Sequence, residues 1–126
     1  MPKKILICDD EPHIRMLLEQ TLEELEDEGV EILIACDGEE GLQTILDEQP
    51  DLVFLDVMMP KRSGFEVCET VKETPLGATT IIVLLTAKGQ EVDRERGRAA
   101  GADLYITKPF DPDQLLELAY ERLGLE

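Results

Sequence analysis

Asp56 stands in the stretch "FLDVMMP", residues 54–60, with Phe54, Leu55, Val57, Met58 and Met59 around it. A carboxylate in so apolar a run is costly unless something satisfies it. Other reactive groups lie far away in sequence. Asp9, Asp10 and Glu11 follow the apolar run "KKILIC", Thr86 closes "TTIIVLLT", and Lys108 follows "DLYIT". Three carboxylates held close repel each other unless a cation joins them. A hard divalent cation does this with oxygen ligands, and Mg2+ suits one or two carboxylates plus water and a phosphate oxygen. The compact ammonium of Lys108 suits a phosphate, and the Thr86 hydroxyl can donate to a phosphoryl oxygen. A carboxylate can also act as a nucleophile and become an aspartyl phosphate. The chemistry to expect is phosphoryl transfer to Asp56, with the metal and Lys108 stabilising the charge in transit.

Such chemistry requires these residues to meet. The chain alternates short apolar runs with helical stretches. Residues 3–8, 30–36, 51–57, 79–86 and 103–107 read as strands. Residues 12–28, 37–49, 64–74, 90–101 and 111–124 read as helices, the first with Ile14, Leu17, Leu18, Leu22 and Leu25 on one face. Pro50 ends the second helix, Gly101 closes the fourth, and Asp111 with Pro112 opens the fifth. Five strands alternating with five helices predict an α/β fold: a three-layer, doubly wound (βα)5 arrangement of the flavodoxin-like kind. Its five-stranded parallel sheet carries helices on both faces. In such sheets the carboxyl ends of the strands share one edge, where ligands bind. Asp9, Asp10, Glu11, Asp56, Thr86 and Lys108 all stand at those ends.

Composition narrows the class. A chain of 126 residues fits one domain, spanning 1–126, and can bury a real core. Hydrophobic residues make up 43% and charged residues 33%, a globular balance. The formal net charge of −17 opposes direct binding to nucleic acid or an anionic membrane. No apolar run is long enough to span a bilayer. Cys8, Cys36 and Cys68 lack metal-ligand spacing and read as buried, reduced thiols, so a cytoplasmic setting is expected.

Taken together, "ILICDDEP" (5–12), "LVFLDVMMPKRSGFEV" (52–67), "IIVLLTAKG" (81–89) and "GADLYITKPF" (101–110) resemble the receiver domains of bacterial two-component response regulators, close to the single-domain, CheY-like members. The similarity covers essentially the whole chain. It implies that Asp56 is the phosphorylated aspartate and that Asp9 and Asp10 hold Mg2+, with Asp10 the more direct ligand. It implies that Met58 lends a backbone carbonyl to the metal, and that Thr86 moves toward the phosphoryl group. Tyr105 then turns inward as the aromatic switch, Lys108 binds phosphate, the Lys108–Pro109 bond is cis, and Ala87 leaves room for the phosphoryl group. Met58 and Lys88 lie where the family tunes dephosphorylation. The partners implied are a histidine kinase, phosphotransfer protein or small phosphodonor, and an output protein meeting the face of the fourth helix, fifth strand and fifth helix. Such a chain is no ordinary enzyme: it catalyses its own phosphorylation and dephosphorylation.

Structural readings stand beside these. Asp10 could cap the first helix, Thr86 could be a plain strand residue, Lys108 a surface lysine and Tyr105 a half-buried packing residue. His13 reads as exposed, and "EELEDE" (23–28) as a solvated helix end. Competing functions are an aspartate-based phosphohydrolase of the haloacid-dehalogenase type, which would want a second acid where Met58 stands, and an adaptor that works without phosphorylation. A receiver fragment of a longer transcriptional regulator is another. Leu104 and Leu118 stand where charged pairs are common in DNA-binding relatives, which leans toward a stand-alone receiver that is monomeric or a weak dimer, with no output domain. An exposed Leu118 would suit a protein-binding face.

Overall fold

The computed structural model describes residues 2–125 apart from 88–90, and describes the backbone alone at 87 and 91–94. The expectations for Lys88 and for the Ala87 side chain lie outside the described residues. The strands are β1 (Lys4–Cys8), β2 (Glu31–Ala35), β3 (Leu52–Asp56), β4 (Ile81–Ala87) and β5 (Leu104–Lys108). The helices are α1 (Pro12–Leu22), α2 (Gly38–Glu48), α3 (Gly64–Lys72), α4 (Glu91–Ala99) and α5 (Pro112–Arg122). All strand pairings are parallel, in the order β2-β1-β3-β4-β5.

Strand alternation divides the core into two layers. Ile5, Ile7, Leu52, Phe54, Val83 and Leu85 pack with Leu18, Leu22, Leu115 and Ala119, which places α1 and α5 on one face. Leu6, Cys8, Val53, Leu55, Ile82 and Leu84 pack with Ile45, Val67, Cys68 and Val71, which places α2 and α3 on the other. α4 lies on this second face too, because a Cβ on Gly97 would meet the Tyr105 ring at 2.9 Å and Leu84 at 3.1 Å. The three-layer fold is the one expected, and β3 is buried throughout as a central parallel strand should be.

The first helix departs from expectation. The α-helix ends at Leu22, and Glu23–Glu28 continues as a 3-10 helix closed by Gly29 at φ +84°. Five acids in those six residues repel one another and the negative end of the helix dipole, with no basic residue in the last turn to answer them. The tighter turn buries Leu25 and leaves the acids outside. A second short 3-10 turn, Pro75–Ala78, lies between α3 and β4. Beside it the Lys72 ammonium binds the carbonyls of Gly77 and Thr80 and the Asp103 carboxylate at 2.8–3.0 Å, tying α3 to the amino edge of the sheet.

Two side chains also differ. Leu118 is half-buried against the α1/α5 core, as is Leu104, so neither stands out as an exposed apolar anchor. Cys36 is exposed, whereas Cys8 and Cys68 are buried. It follows β2, which is an edge strand of the sheet. Burial pushes the Cys68 thiol up to about 11 and that of Cys8 higher still, so neither forms a thiolate near neutrality. One thiol per native chain is therefore expected to react promptly with an aromatic disulfide reagent at pH 8, and Cys36→Ser is expected to remove it. Two or three prompt equivalents would contradict this arrangement.

Candidate functional site

The order of the strands fixes where the site lies. The winding reverses between β1 and β3, and the crevice at such a reversal opens beyond the strands' carboxyl ends. Asp56 ends β3, Asp9 follows β1, and Lys108 ends β5. By alternation Asp56 shares the face of Phe54, and Lys108 that of Ile106. Asp9 continues the Ile5, Ile7 series. These three therefore meet on the α1/α5 side of the edge.

Their contacts are close. Lys108 Nζ lies 3.1 Å from Asp9 Oδ2, 3.3 Å from Asp56 Oδ1 and 3.6 Å from Glu11 Oε1. Asp9 is fully buried and Asp56 nearly so. Burial, then the neighbouring Asp9 charge, push the Asp56 carboxyl up to about 7 against the pull of Lys108. Burial alone would lower the Lys108 ammonium, but Asp56 and Asp9 outweigh it and hold its pKa above the ordinary value.

Local structure holds the acids in place. The Glu11 N–H donates to Asp9 Oδ1 at 2.9 Å, and Arg15 Nη1 donates to the Asp9 carbonyl at 2.7 Å. The Met58 N–H reaches Asp56 Oδ1 at 3.4 Å. Gly64 donates to the Val57 carbonyl, and a Cβ there would collide with the Asp56 carbonyl, so glycine lets α3 begin directly under the site. Ser63 and Glu66 close that helix start as a reciprocal capping box.

Among the described residues, one set of three ligand-type side chains has its ligand atoms within 4.8 Å of one another: Asp9, Glu11 and Asp56. All are carboxylates, hard oxygen donors of the kind Mg2+ takes. Three carboxylates outnumber the single ammonium, and a divalent ion would balance the excess. The residues present therefore fit Mg2+. Asp10 stands half-buried on the same loop and is not one of the three. Met58 is 72% exposed at the loop after β3, and Met59 packs inward against the core.

Thr86 and Tyr105 belong to the opposite side of the sheet. Thr86 follows the parity of Ile82 and Leu84, is buried, and stands one residue beyond Leu85, the partner of Asp56 in the sheet. Tyr105 pairs with Leu84 in register, its ring lies against Gly97 of α4, and its hydroxyl is shielded from solvent. The Lys108–Pro109 bond is cis. His13 is exposed on α1.

The structure thus brings Asp9, Asp56 and Lys108 together, puts Thr86 at the same edge, and seats Tyr105 beneath α4. It bears out Glu11 as one of the carboxylates at that edge and adds Arg15, which had been given no role. No sequence signal pointed to Arg15.

The sequence profile described as "Response regulator receiver domain" matches residues 5–120. The chain is 45% identical over 115 residues to the alkaline phosphatase synthesis transcriptional regulatory protein PhoP of Bacillus subtilis (strain 168), covering 91% of this chain and 46% of that protein. It spans about half the length of the curated relatives it matches. It superposes on the BeF3-activated DrrB receiver domain, the DrrB of Thermotoga maritima, with a TM-score of 0.85 and 35% identity, covering 98% of this chain and 99% of that one. A CheY-like response regulator receiver domain protein from Methanospirillum hungatei JF-1 gives a TM-score of 0.85 at 34% identity, over 98% and 95%. Among the described residues no helix is long and apolar enough to cross a membrane.

Proposed function

This chain belongs to the response regulator receiver domain family, and from that premise we propose that it is a signalling switch that accepts a phosphoryl group on Asp56. The observation that carries the reading is the placement of Lys108, whose ammonium touches the buried carboxylates of both Asp9 and Asp56 at the sheet's carboxyl edge. An Asp56 oxygen attacks phosphorus, forming the new O–P bond. The donor's bond to phosphorus breaks, and its electron pair leaves with the departing group. The donor is a histidine kinase, a phosphotransfer protein or a small phosphodonor. Lys108 stabilises the negative charge of the transferring group. Asp9 and Asp56 would hold Mg2+, with Asp10, Glu11 and the Met58 carbonyl as further ligand candidates, and the bound ion would neutralise phosphoryl oxygens. Water attacking the aspartyl phosphate returns the carboxylate, so the chain catalyses both halves of its own cycle. No other substrate is turned over.

In this reading Thr86, at the same sheet edge, donates to a phosphoryl oxygen on Asp56, and Tyr105, which lies against Gly97 of α4, responds. Movement of Thr86 toward the phosphoryl group changes the space beside Tyr105 and biases the face made by α4, β5 and α5, which meets the output protein. The relatives PhoP and the regulator ycf27 are transcriptional regulators by name. That favours a second reading, in which the switch serves transcriptional control. The cytoplasm, where kinases and phosphodonors of this kind act, is the setting proposed.

Intact mass after incubation with acetyl phosphate and Mg2+ tests the phosphoacceptor reading. The expected result is one added phosphoryl group on the wild type, absent in EDTA and absent in Asp56→Asn. An adduct that survives in the variant would place the acceptor elsewhere. No adduct, with Mg2+ binding shown separately, would favour a binding-only adaptor.

A further inference from the structure

Glu11 occupies the residue just before α1, where short side chains such as Asp or Ser usually accept a hydrogen bond from the helix start. It makes no such cap. Its carboxylate is turned to Lys108, with Oε1 3.6 Å from the ammonium, while Oε2 lies 3.6 Å from His13 Nε2. Its side chain is 47% exposed. The other two carboxylates on Lys108 differ: the Asp9 side chain is 0% exposed and that of Asp56 5%.

An ammonium has three hydrogens to donate, and three carboxylates surround this one. Lys108 donates to Asp9 at 3.1 Å, whereas Glu11 at 3.6 Å is an ion-pair partner beyond hydrogen-bond distance, so a phosphoryl oxygen arriving on that side meets a negative charge already beside the ammonium. Asp9 is buried and pinned through the Glu11 N–H, and Asp56 carries the phosphoryl group. Glu11 is the partner that water can take over at little cost. We propose that Glu11 is a displaceable counter-anion for Lys108, a positioning residue that sets how readily the site accepts a phosphoryl oxygen. The proposal rests on the phosphoacceptor reading. With the site free of phosphate, Glu11 holds one face of the ammonium. An arriving phosphoryl group repels it outward, and Lys108 donates to the new oxygen in place of that ion pair.

Beryllium trifluoride, a stable stand-in for the phosphoryl group, measures this directly. Its dissociation constant is determined by titration calorimetry at Mg2+ concentrations high enough that more Mg2+ no longer changes it. Glu11→Gln is expected to bind the analogue about two- to fivefold more tightly than wild type, the range of a half-exposed ion pair, and to be phosphorylated faster by acetyl phosphate. Glu11→Asp keeps the charge, but its shorter side chain favours capping α1 and no longer reaches Lys108. It is expected to show the same gain. A thermal midpoint measured for each variant confirms folding, and a purely structural role would move the midpoint without moving analogue affinity. Unchanged or weaker binding by Glu11→Gln would overturn the proposal. So would a gain in Glu11→Gln with none in Glu11→Asp, which would assign the effect to net charge rather than to the contact. A wild type that neither binds the analogue nor forms an adduct would instead sink the phosphoacceptor reading, and this inference with it.

Discussion

Asp56→Asn is expected to raise the stability of the metal-free protein, with the gain growing as pH rises from about 4 and levelling off above 7. The folded protein holds the Asp56 carboxyl near pH 7, whereas the unfolded chain releases its proton near 3.8. Between those values the folded state binds the extra proton, so native stability falls as pH rises through the window. Below it both states are protonated and no penalty exists; above it the penalty is complete. Asparagine is similar in size and never ionises, so it removes the whole term. Each pKa unit is worth about 1.4 kcal/mol, which puts the gain at about 2–4 kcal/mol at pH 8. Urea unfolding in EDTA across pH 4–8 reads it directly. A variant equal to wild type at pH 8, or less stable there, would show that Lys108 fully compensates the buried charge. Adding Mg2+ should narrow the gap, because a ligand that binds the native wild-type site stabilises it by mass action while the variant has lost a carboxylate ligand.

Lys108→Met should act in the opposite sense. It leaves Asp9 and Asp56 buried side by side with their shared ammonium gone. Removing one partner of a buried pair costs about 3–5 kcal/mol. Destabilisation of that order is expected in EDTA at pH 8, easing toward pH 5 as Asp56 takes up its proton. Mg2+ should restore more stability to this variant than to wild type, since the site then presents three carboxylates with no competing cation. Recovery of stability would not bring back chemistry. If Lys108 stabilises the transferring charge as proposed, its loss should slow phosphorylation from acetyl phosphate by about 10²–10³-fold. A variant that is stable in EDTA and gains less from Mg2+ than wild type does would mean that Lys108 is not the site's neutralising charge. A folded variant phosphorylated at the wild-type rate would remove it from the chemistry.

The sheet was readable from the chain because buried parallel strands are nearly continuous apolar runs, and "LVFLD" and "IIVLLT" could be little else. Once the strands are parallel, their carboxyl ends must share an edge, so the meeting of Asp9, Asp56 and Lys108 followed from topology alone. What escaped depends on side-chain direction over a few residues. Glu11 was expected at this edge, but its turn toward Lys108, with its own N–H tied to Asp9 Oδ1, is not encoded by sequence spacing. Cys36 looked like the end of a buried run, but β2 is an edge strand and leaves it outside. The first helix kept its apolar face through Leu25, yet the acids between the apolar positions tightened its last turns into a 3-10 helix. Leu118 has helical spacing that fits either a core or a docking face, and only the packing of α5 against α1 decides for partial burial.

The sheet also acts as a partition. Asp9, Asp56 and Lys108 follow the strand parity of one face, whereas Thr86 and Tyr105 follow that of the other. Substitutions on the far side of this wall therefore need not touch the charged cluster of Asp9, Asp56 and Lys108. Under the proposed function, changes in α4 would alter the surface offered to a partner while leaving the charged cluster in place.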